Sequence, residues 1–346
     1  MILEIKNRIE SELAKYLKHA DKLYHLRQIS PLLYNHIRDF VARDGKRVRP
    51  ILFCIGYLGF AKKQASGLYF SAISIELLHD FMLIHDDIID KSPTRRGKPS
   101  MHESLNKYLR PFKGIKFSGE DLSIVAGDII YAMALGAFLN IKEKPLRKEK
   151  ALQKFIEAAL YTGCGEFTEL ILGTKGLERV KKEEIYKIYD LKTANYTFAY
   201  PLAIGATLAG ANQKQIQLLF KYGNCLGRAF QIKDDIQGIF NEESEIGKSN
   251  LTDLQEAKKT ILIWKAFRNS DNKNKKAIKE ILSKKDVTRH DLINVRKIIS
   301  ASGSLEYAKK EIADLQRKSD ILLTKCSIKN AFKDYLQNFS RKILNA

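Results

Sequence analysis

The chain has 346 residues, 45% hydrophobic and 29% charged. That is enough apolar material for a large core, which excludes a mainly disordered chain. The four cysteines, Cys54, Cys164, Cys225 and Cys326, form no C-x-x-C pair and no disulfide framework, as fits a reducing, cytoplasmic setting. Lys plus Arg outnumber Asp plus Glu by 60 to 40, a net +20 that calls for anionic partners (phosphates, nucleic acid or an acidic membrane surface) without choosing among them.

The amino-terminal stretch MILEIKNRIESELAKYL carries acids early and has no apolar h-region, so no secretory leader is expected. Helical periodicity predicts a segment from Ser66-Gly67 through Ile73, Leu77, Phe81, Ile84 and Ile88, stopping before Pro93. It is apolar on more than one stripe and is therefore read as central. Loops are predicted at Lys91–Ser100, Pro111–Gly119, Asn241–Asn250 and Arg268–Asn274. Thr193 to Gln213 contains no charged residue but holds Asn195 and Pro201; it reads as a buried helix pair broken near Pro201 rather than a membrane span. A second central helix starts near Asn212 and runs through Ile216, Leu219, Tyr222, Leu226, Ala229 and Ile236. The later lysine runs read as solvated helix faces. Only seven prolines occur, none beyond Pro201, and strand alternation bounded by Asn-Gly or Gly-Gly turns is absent. The fold class is all-α, with ten or more helices. Length alone allows about two domains, but no low-complexity linker divides the chain. It is read as one domain over residues 1–346, with a motif-bearing core over about 40–265 and a Lys-rich helical part over 266–346.

Both central helices carry acids: His85-Asp86-Asp87-Ile88-Ile89-Asp90 in the first and Lys233-Asp234-Asp235-Ile236-Gln237-Gly238 in the second. Asp86 and Asp90 are four apart and share a helix face. Their repulsion, worsened by the negative end of the helix dipole, needs a compensating cation. Carboxylate oxygens are hard ligands suited to Mg²⁺ that also binds substrate phosphates. A solvated helix end paired with Arg95 and Arg96 would account for one such cluster. Two clusters on antiparallel helices would face each other across a cavity, as bundles build metal sites. Cations suited to a polyphosphate surround them: Gly45-Lys46-Arg47-Val48-Arg49, Arg95-Arg96-Gly97, Lys192-Thr193, Gly247-Lys248 and Lys258-Lys259. No P-loop and no Gly-x-Gly-x-x-Gly is present.

In this order the motifs GKRVRP, ELLHDFMLIHDDIIDKSPTRRGKPSMH, AGDIIYAMA, GEFTEL, DLKTA, GRAFQIKDDIQGIF and IGKSNLTDLQEAKKT, from about Gly45 to Leu262, resemble the trans-prenyl diphosphate synthases, or polyprenyl synthetases. The resemblance implies a bundle of about a dozen helices around a deep apolar cavity, paired as a homodimer. It implies that an allylic diphosphate ionises, isopentenyl diphosphate attacks the cation, and a proton is lost. The catalytic set would be Asp86, Asp87, Asp90, Arg95, Lys192, Asp234 and Asp235, with three Mg²⁺ ions held through Asp86, Asp90 and Asp234. Gly45, Lys46, Arg49, His79 and Arg96 would hold isopentenyl diphosphate. Arg95, Lys192, Thr193, Gln231, Lys248 and Lys258 would hold the allylic diphosphate. Tyr186 and Tyr189 receive no role.

Three residues depart from the family pattern: Asp44 for a glycine, Glu166 for a frequent glutamine, and Gly238 for a third acid. Each core ligand remains, so an active enzyme is expected. Bulky residues just upstream of Asp86 would form the cavity floor. With Phe81 and Met82 there and Leu78 one turn deeper, the expected product has twenty carbons, geranylgeranyl diphosphate. Farnesyl or geranylfarnesyl diphosphate, or a regulatory subunit, are the nearest alternatives. Peripheral membrane contact for product release is expected. A basic helical nucleic-acid-binding protein would explain the charge but leaves the acids unexplained, since acids repel phosphate unless metal intervenes; no nucleic acid is expected. A terpene cyclase would lack the GKRVRP and RRG cations.

Overall fold

A computed structural model describes residues 2–241 and 250–345, and the chain divides into two compact units. Met1–Gln153 with Ile204–Gly210 form the first; Lys154–Ala203 with Ala211–Ala346 form the second. Helices account for most of the described residues, as the all-α reading required.

In the first unit α1 (Ile2–Tyr24), α2 (Leu26–Ile29), α3 (Pro31–Val41) and α4 (Val48–Leu58) lead to α5 (Leu68–Ile89). The helix expected between Gly67 and Pro93 is thus present. It buries Leu68, Ala72, Ile73, Ile75, Leu77, Leu78 and Ile84, a surface too wide for one stripe. Its main neighbour is α7 (Gly119–Phe138), which starts in a Ser118–Asp121 capping box. The Ser71 hydroxyl donates to the Phe138 carbonyl at 3.0 Å, and Phe53 meets Phe138 edge-on at 6.5 Å between ring centroids. Between α5 and α6 (Met101–Leu109) the predicted loop over Lys91–Ser100 contains a small hairpin, β1 (Thr94–Arg95) with β2 (Lys98–Pro99). Arg96 and Gly97 at its tip both have positive φ, 53° and 72°. Strands of two residues are too short to leave a period-two signature, so the sequence reading missed them.

The second unit takes up the chain within α8 (Pro145–Gly173). A short 3₁₀ turn, Leu177–Arg179, precedes α9 (Lys182–Ile188), a π-helix over Tyr189–Ala199 and α10 (Tyr200–Ala209), whose last residues belong to the first unit. The expected break near Pro201 does not occur. The Tyr200 N–H bonds back five residues to the Asn195 carbonyl. The N–H that Pro201 lacks falls where this wide register ends, so the helix runs on through it. The second central helix is α11 (Gln213–Phe240), capped by the Asn212 side chain accepting from the Gln215 N–H at 3.0 Å. It packs on the π-helix and on α16 (Ser304–Thr324). Between them stand α12 (Thr252–Gln255), α13 (Ile261–Asn269), α14 (Asn272–Leu282) and α15 (Arg289–Ala301); α17 (Asn330–Asn345) closes the chain. The predicted loop over Arg268–Asn274 shrinks to a two-residue junction between α13 and α14. The lysine-rich α14 buries Ile278 and Ile281 and exposes Lys273, Lys276 and Lys279, as expected of a solvated face. Among the described residues all four cysteines are free thiols.

Candidate active site

The first acidic cluster separates into two kinds of carboxylate. Asp86 and Asp90 are half-buried near the end of α5, while Asp87, between them, is fully buried. The hairpin returns Arg95 onto Asp87: its Nε donates to Oδ1 at 2.8 Å, and its Nη2 reaches the same oxygen. Nη2 also lies 3.6 Å from Asp86 Oδ2. Burial pushes the Asp87 carboxyl above its ordinary value, and the guanidinium opposes that shift. Asp87, expected among the catalytic acids, therefore holds Arg95.

Behind this cluster lies a buried ionic network that the sequence did not reveal. Arg47, 2% exposed and with φ of 49°, donates to Glu10 at 2.8 Å, to Glu76 at 2.7 Å and to the Arg43 carbonyl at 2.7 Å. Arg96 lies 3.4 Å from Glu76 and 3.3 Å from the fully buried Asp80. Burial raises the Asp80 carboxyl to about 8, against the pull of Arg96. His79, on the same helix, is held neutral: burial pushes its pKa well below the usual value, and the fields of Arg49, Arg96, Arg95 and Arg47 push the same way. Four guanidiniums thus bear on one uncharged imidazole, and Arg96 Nη1 has no hydrogen-bond partner. Gly45, half-buried, and Lys46, exposed, stand on the turn leading into α4, and Arg49, half-buried, is in its first turn.

In the second unit the π-helix and α11 share a chain of side-chain hydrogen bonds. The Thr193 hydroxyl donates to Gln231 Oε1 at 2.7 Å, and Gln231 Nε2 donates to Asp235 Oδ1 at 3.0 Å. The Tyr189 hydroxyl donates to Asp235 Oδ2 and accepts the Ile261 N–H, at the start of α13, at 2.8 Å. Burial drives the Asp235 carboxyl well above its ordinary value, with the donors opposing and the neighbouring Asp253 and Asp234 adding to it. Asp234 is half-buried. Tyr189, given no role from sequence, thus fixes Asp235. Nothing in a 3.6-residue periodicity marks a π-helix, and only the three-dimensional register brings its hydroxyl to α11.

Two expected diphosphate-binding cations of this unit, Lys192 and Lys258, are paired with acids. Lys192 Nζ lies 2.6 Å from both Glu166 and Glu169, so the departure at Glu166 supplies half of a carboxylate clamp. Lys258 lies 2.6 Å from Glu256 and 3.8 Å from Asp253. A Cβ at Gly238 would stand 2.6 Å from Asp253 Oδ2. The position of the missing third acid is thus filled by a carboxylate from α12. Lys248 lies outside the described residues, as does most of the predicted loop over 241–250. Of the expected floor residues, Phe81 and Met82 are half-exposed, while Leu78 is fully buried in the core.

Residues 30–299 match the polyprenyl synthetase family. The chain is 31% identical to the short chain isoprenyl diphosphate synthase of Methanocaldococcus jannaschii, over 88% of this chain and 84% of that one. It is 33% identical to the geranylgeranyl diphosphate synthase of Sulfolobus acidocaldarius, over 80% and 79%. Its structure is similar to that of geranylgeranyl pyrophosphate synthase from Corynebacterium glutamicum complexed with isoprenyl diphosphate and magnesium, with a TM-score of 0.90, 25% identity, and coverage of 99% and 98%.

Proposed function

The chain belongs to the polyprenyl synthetase family, and from that premise we propose that it joins isopentenyl diphosphate to an allylic diphosphate to give geranylgeranyl diphosphate. It is a trans-prenyltransferase. The observation that carries the site assignment is the combined field of Arg49, Arg96, Arg95 and Arg47 at His79, which adds to burial in pushing its pKa down. Such a field favours a highly charged anion, and the unpartnered Arg96 Nη1 keeps a donor for it. We assign isopentenyl diphosphate to Gly45, Lys46, Arg49, His79 and Arg96, with Arg47 as their buried support. The allylic diphosphate goes to Arg95, Lys192, Thr193, Gln231, Lys248 and Lys258.

The half-buried carboxylates of Asp86 and Asp90, one turn apart on α5, form an all-oxygen donor set that fits Mg²⁺; Asp234 completes it in this reading, and the family pattern suggests three ions. Bound there, Mg²⁺ would neutralise the charge that collects on the departing diphosphate. The allylic carbon–oxygen bond breaks, the double bond of isopentenyl diphosphate supplies the electron pair of the new carbon–carbon bond, and a proton leaves. Arg95, fixed by Asp87, orients and stabilises the leaving group. The Thr193 carbonyl and the Gln231 amide offer dipoles to the cation, and apolar walls keep water from quenching it. Phe81 and Met82 form the floor that limits the chain to twenty carbons. Ile156, Leu160, Phe167, Leu170 and Ile171 of α8 are each more than 40% exposed on one helix, an apolar face suited to a second copy of the chain. The enzyme is placed in the cytoplasm, with membrane contact only for product release.

The test is steady-state kinetics with chromatographic product analysis. Turnover should require Mg²⁺ and stop with a chelator. Lys46→Ala and Arg49→Ala should each raise KM for isopentenyl diphosphate about tenfold or more, the loss of about one charge-assisted hydrogen bond, and spare KM for the allylic substrate. Equal effects on both substrates would overturn the division into two sites, and absence of any diphosphate release would overturn the activity.

A further inference from the structure

We propose that Arg43 is a positioning residue for the reaction: its buried guanidinium holds the main chain of Arg95, and with it the hairpin that carries Arg95 and Arg96. This rests on the diphosphate roles assigned to those two arginines above, and it adds a residue that lies outside the motifs.

The hairpin cannot hold its own place. Its strands, β1 and β2, are two residues long, too short for an isolated ribbon to persist in water. Both residues of its turn have positive φ, 53° at Arg96 and 72° at Gly97. Glycine takes that region without cost, whereas an arginine there is held against its preference. The Arg95–Asp87 pair fixes the Arg95 side chain and leaves the backbone of the strand to be fixed from elsewhere. Arg43, two residues beyond the end of α3, supplies that hold. Its Nη1 donates to the Arg95 carbonyl at 3.1 Å. Its Nε and Nη2 donate to Asp39 Oδ2 at 3.3 and 2.9 Å, and Asp39 Oδ1 accepts from Lys98 Nζ, on β2, at 2.8 Å. Both strands are thereby tied to the end of α3.

A guanidinium gives up hydration when it is buried, and the Arg43 side chain is only 5% exposed. It lies over the Phe40 ring, 4.8 Å from the centroid. Against the upward push of burial, Lys98 and Arg43 hold the Asp39 carboxyl below its ordinary value, so the acid stays a charge partner. The Arg43 carbonyl in turn accepts from Arg47 Nη2 at 2.7 Å. One residue therefore joins the hairpin by its side chain and the buried ionic network by its main chain. An Arg95 pinned at its guanidinium but free to drift at its Cα would meet the departing diphosphate at a variable distance, and a misplacement of about 1 Å can cost about 10²-fold in rate.

The test is steady-state kinetics on Arg43→Met, Arg43→Lys, Arg95→Lys and the Arg43→Met/Arg95→Lys double variant, each checked for folding by circular dichroism. Arg43→Met keeps the apolar stem and removes every donor. It should lower kcat/KM for the allylic diphosphate about tenfold or more, as loss of a charge-assisted hydrogen bond does. KM for isopentenyl diphosphate should stay within about threefold, because Lys46 and Arg49 lie on a different segment. Arg43→Lys keeps the charge but has one nitrogen where the guanidinium uses three, so it should fall between the parent and Arg43→Met. Because Arg43 acts through Arg95, the two single losses should overlap, and the double variant should lose less than their product. Losses that multiply, an equal loss for both substrates, or an unchanged kcat/KM in Arg43→Met would each overturn the proposal while leaving the diphosphate sites as assigned. If Arg95→Lys itself leaves kcat/KM for the allylic substrate unchanged, the role of Arg95 falls first and that of Arg43 with it. Should Arg43→Met fail to fold, Arg43→Lys takes its place in the same cycle with Arg95→Lys, with the same expected overlap.

Discussion

Asp87 and Asp235 are the second members of two Asp-Asp pairs, one on α5 and one on α11, and both are buried. Asp87 is held by the guanidinium of Arg95, whereas Asp235 is held by the Tyr189 phenol and the Gln231 amide. In both pairs the other acid, Asp86 or Asp234, is left half-buried. The difference lies in what happens when a partner is lost. A buried carboxylate facing a guanidinium is committed as a charge, and breaking such a pair leaves an uncompensated ion, at about 3–5 kcal/mol. A carboxyl among neutral donors loses one hydrogen bond at a time, at about 1–3 kcal/mol. One motif is thus stiffened by charge in the first unit and by dipoles in the second.

The largest effect should come from the half-buried acids of the two clusters. Asp86→Ala, Asp90→Ala and Asp234→Ala should each lower turnover by about 10²-fold or more, because stabilising the leaving group is the main demand on the site. Diphosphate release by each purified variant checks this; full activity in all three would refute the metal assignment. Asp87→Asn and Asp235→Asn should differ in what they cost. The first strips Arg95 of its charge partner and should destabilise by about 3 kcal/mol or more. The second keeps an oxygen for Tyr189 and should cost about 1 kcal/mol. Urea unfolding of the two variants measures the gap, and equal losses would show that charge and dipole partners hold the two acids equally. A smaller effect follows from pH. Asp80 is raised to about 8, so its neutral form stabilises the fold fully below the ordinary carboxylate range, and that contribution is lost as pH rises towards 8. Asp80→Asn, which cannot ionise, should gain thermal stability relative to the parent between pH 5 and pH 8.5; a constant difference in Tm would show that Asp80 does not titrate in this window.

The parts of this arrangement that were legible in the sequence are those with a local signature. Gly67, Asn212 and the apolar surfaces of α5 and α11 announced two central helices, and acids on apolar helices announced a cation because they are costly otherwise. The partners of the buried acids were not legible. Arg95 was visible as a cation near a cluster, but its attachment to Asp87 depends on a hairpin whose strands are two residues long. Arg47 sits inside a motif whose other cations face ligands in the resemblance, and only burial reveals it as structural. Tyr189 looks like an ordinary core aromatic until the helix opposite it is in place. Pro201 was misread because the rule that proline ends a helix assumes α-helical hydrogen bonding on both sides of it.

That last feature constrains how this protein can change. The π-helix over Tyr189–Ala199 spends about one more residue per turn than its flanks. Removing a single residue from it would let the segment relax to ordinary α-helix and rotate everything upstream by about 100° relative to everything downstream. Tyr189 and Asp190 would swing away from Asp235 and Arg228, while α10 stayed where it was. Its length is frozen: an insertion or deletion here breaks the contacts of one half of the helix, and a lineage that shortened it would have to rebuild the facing side of α11 at the same time.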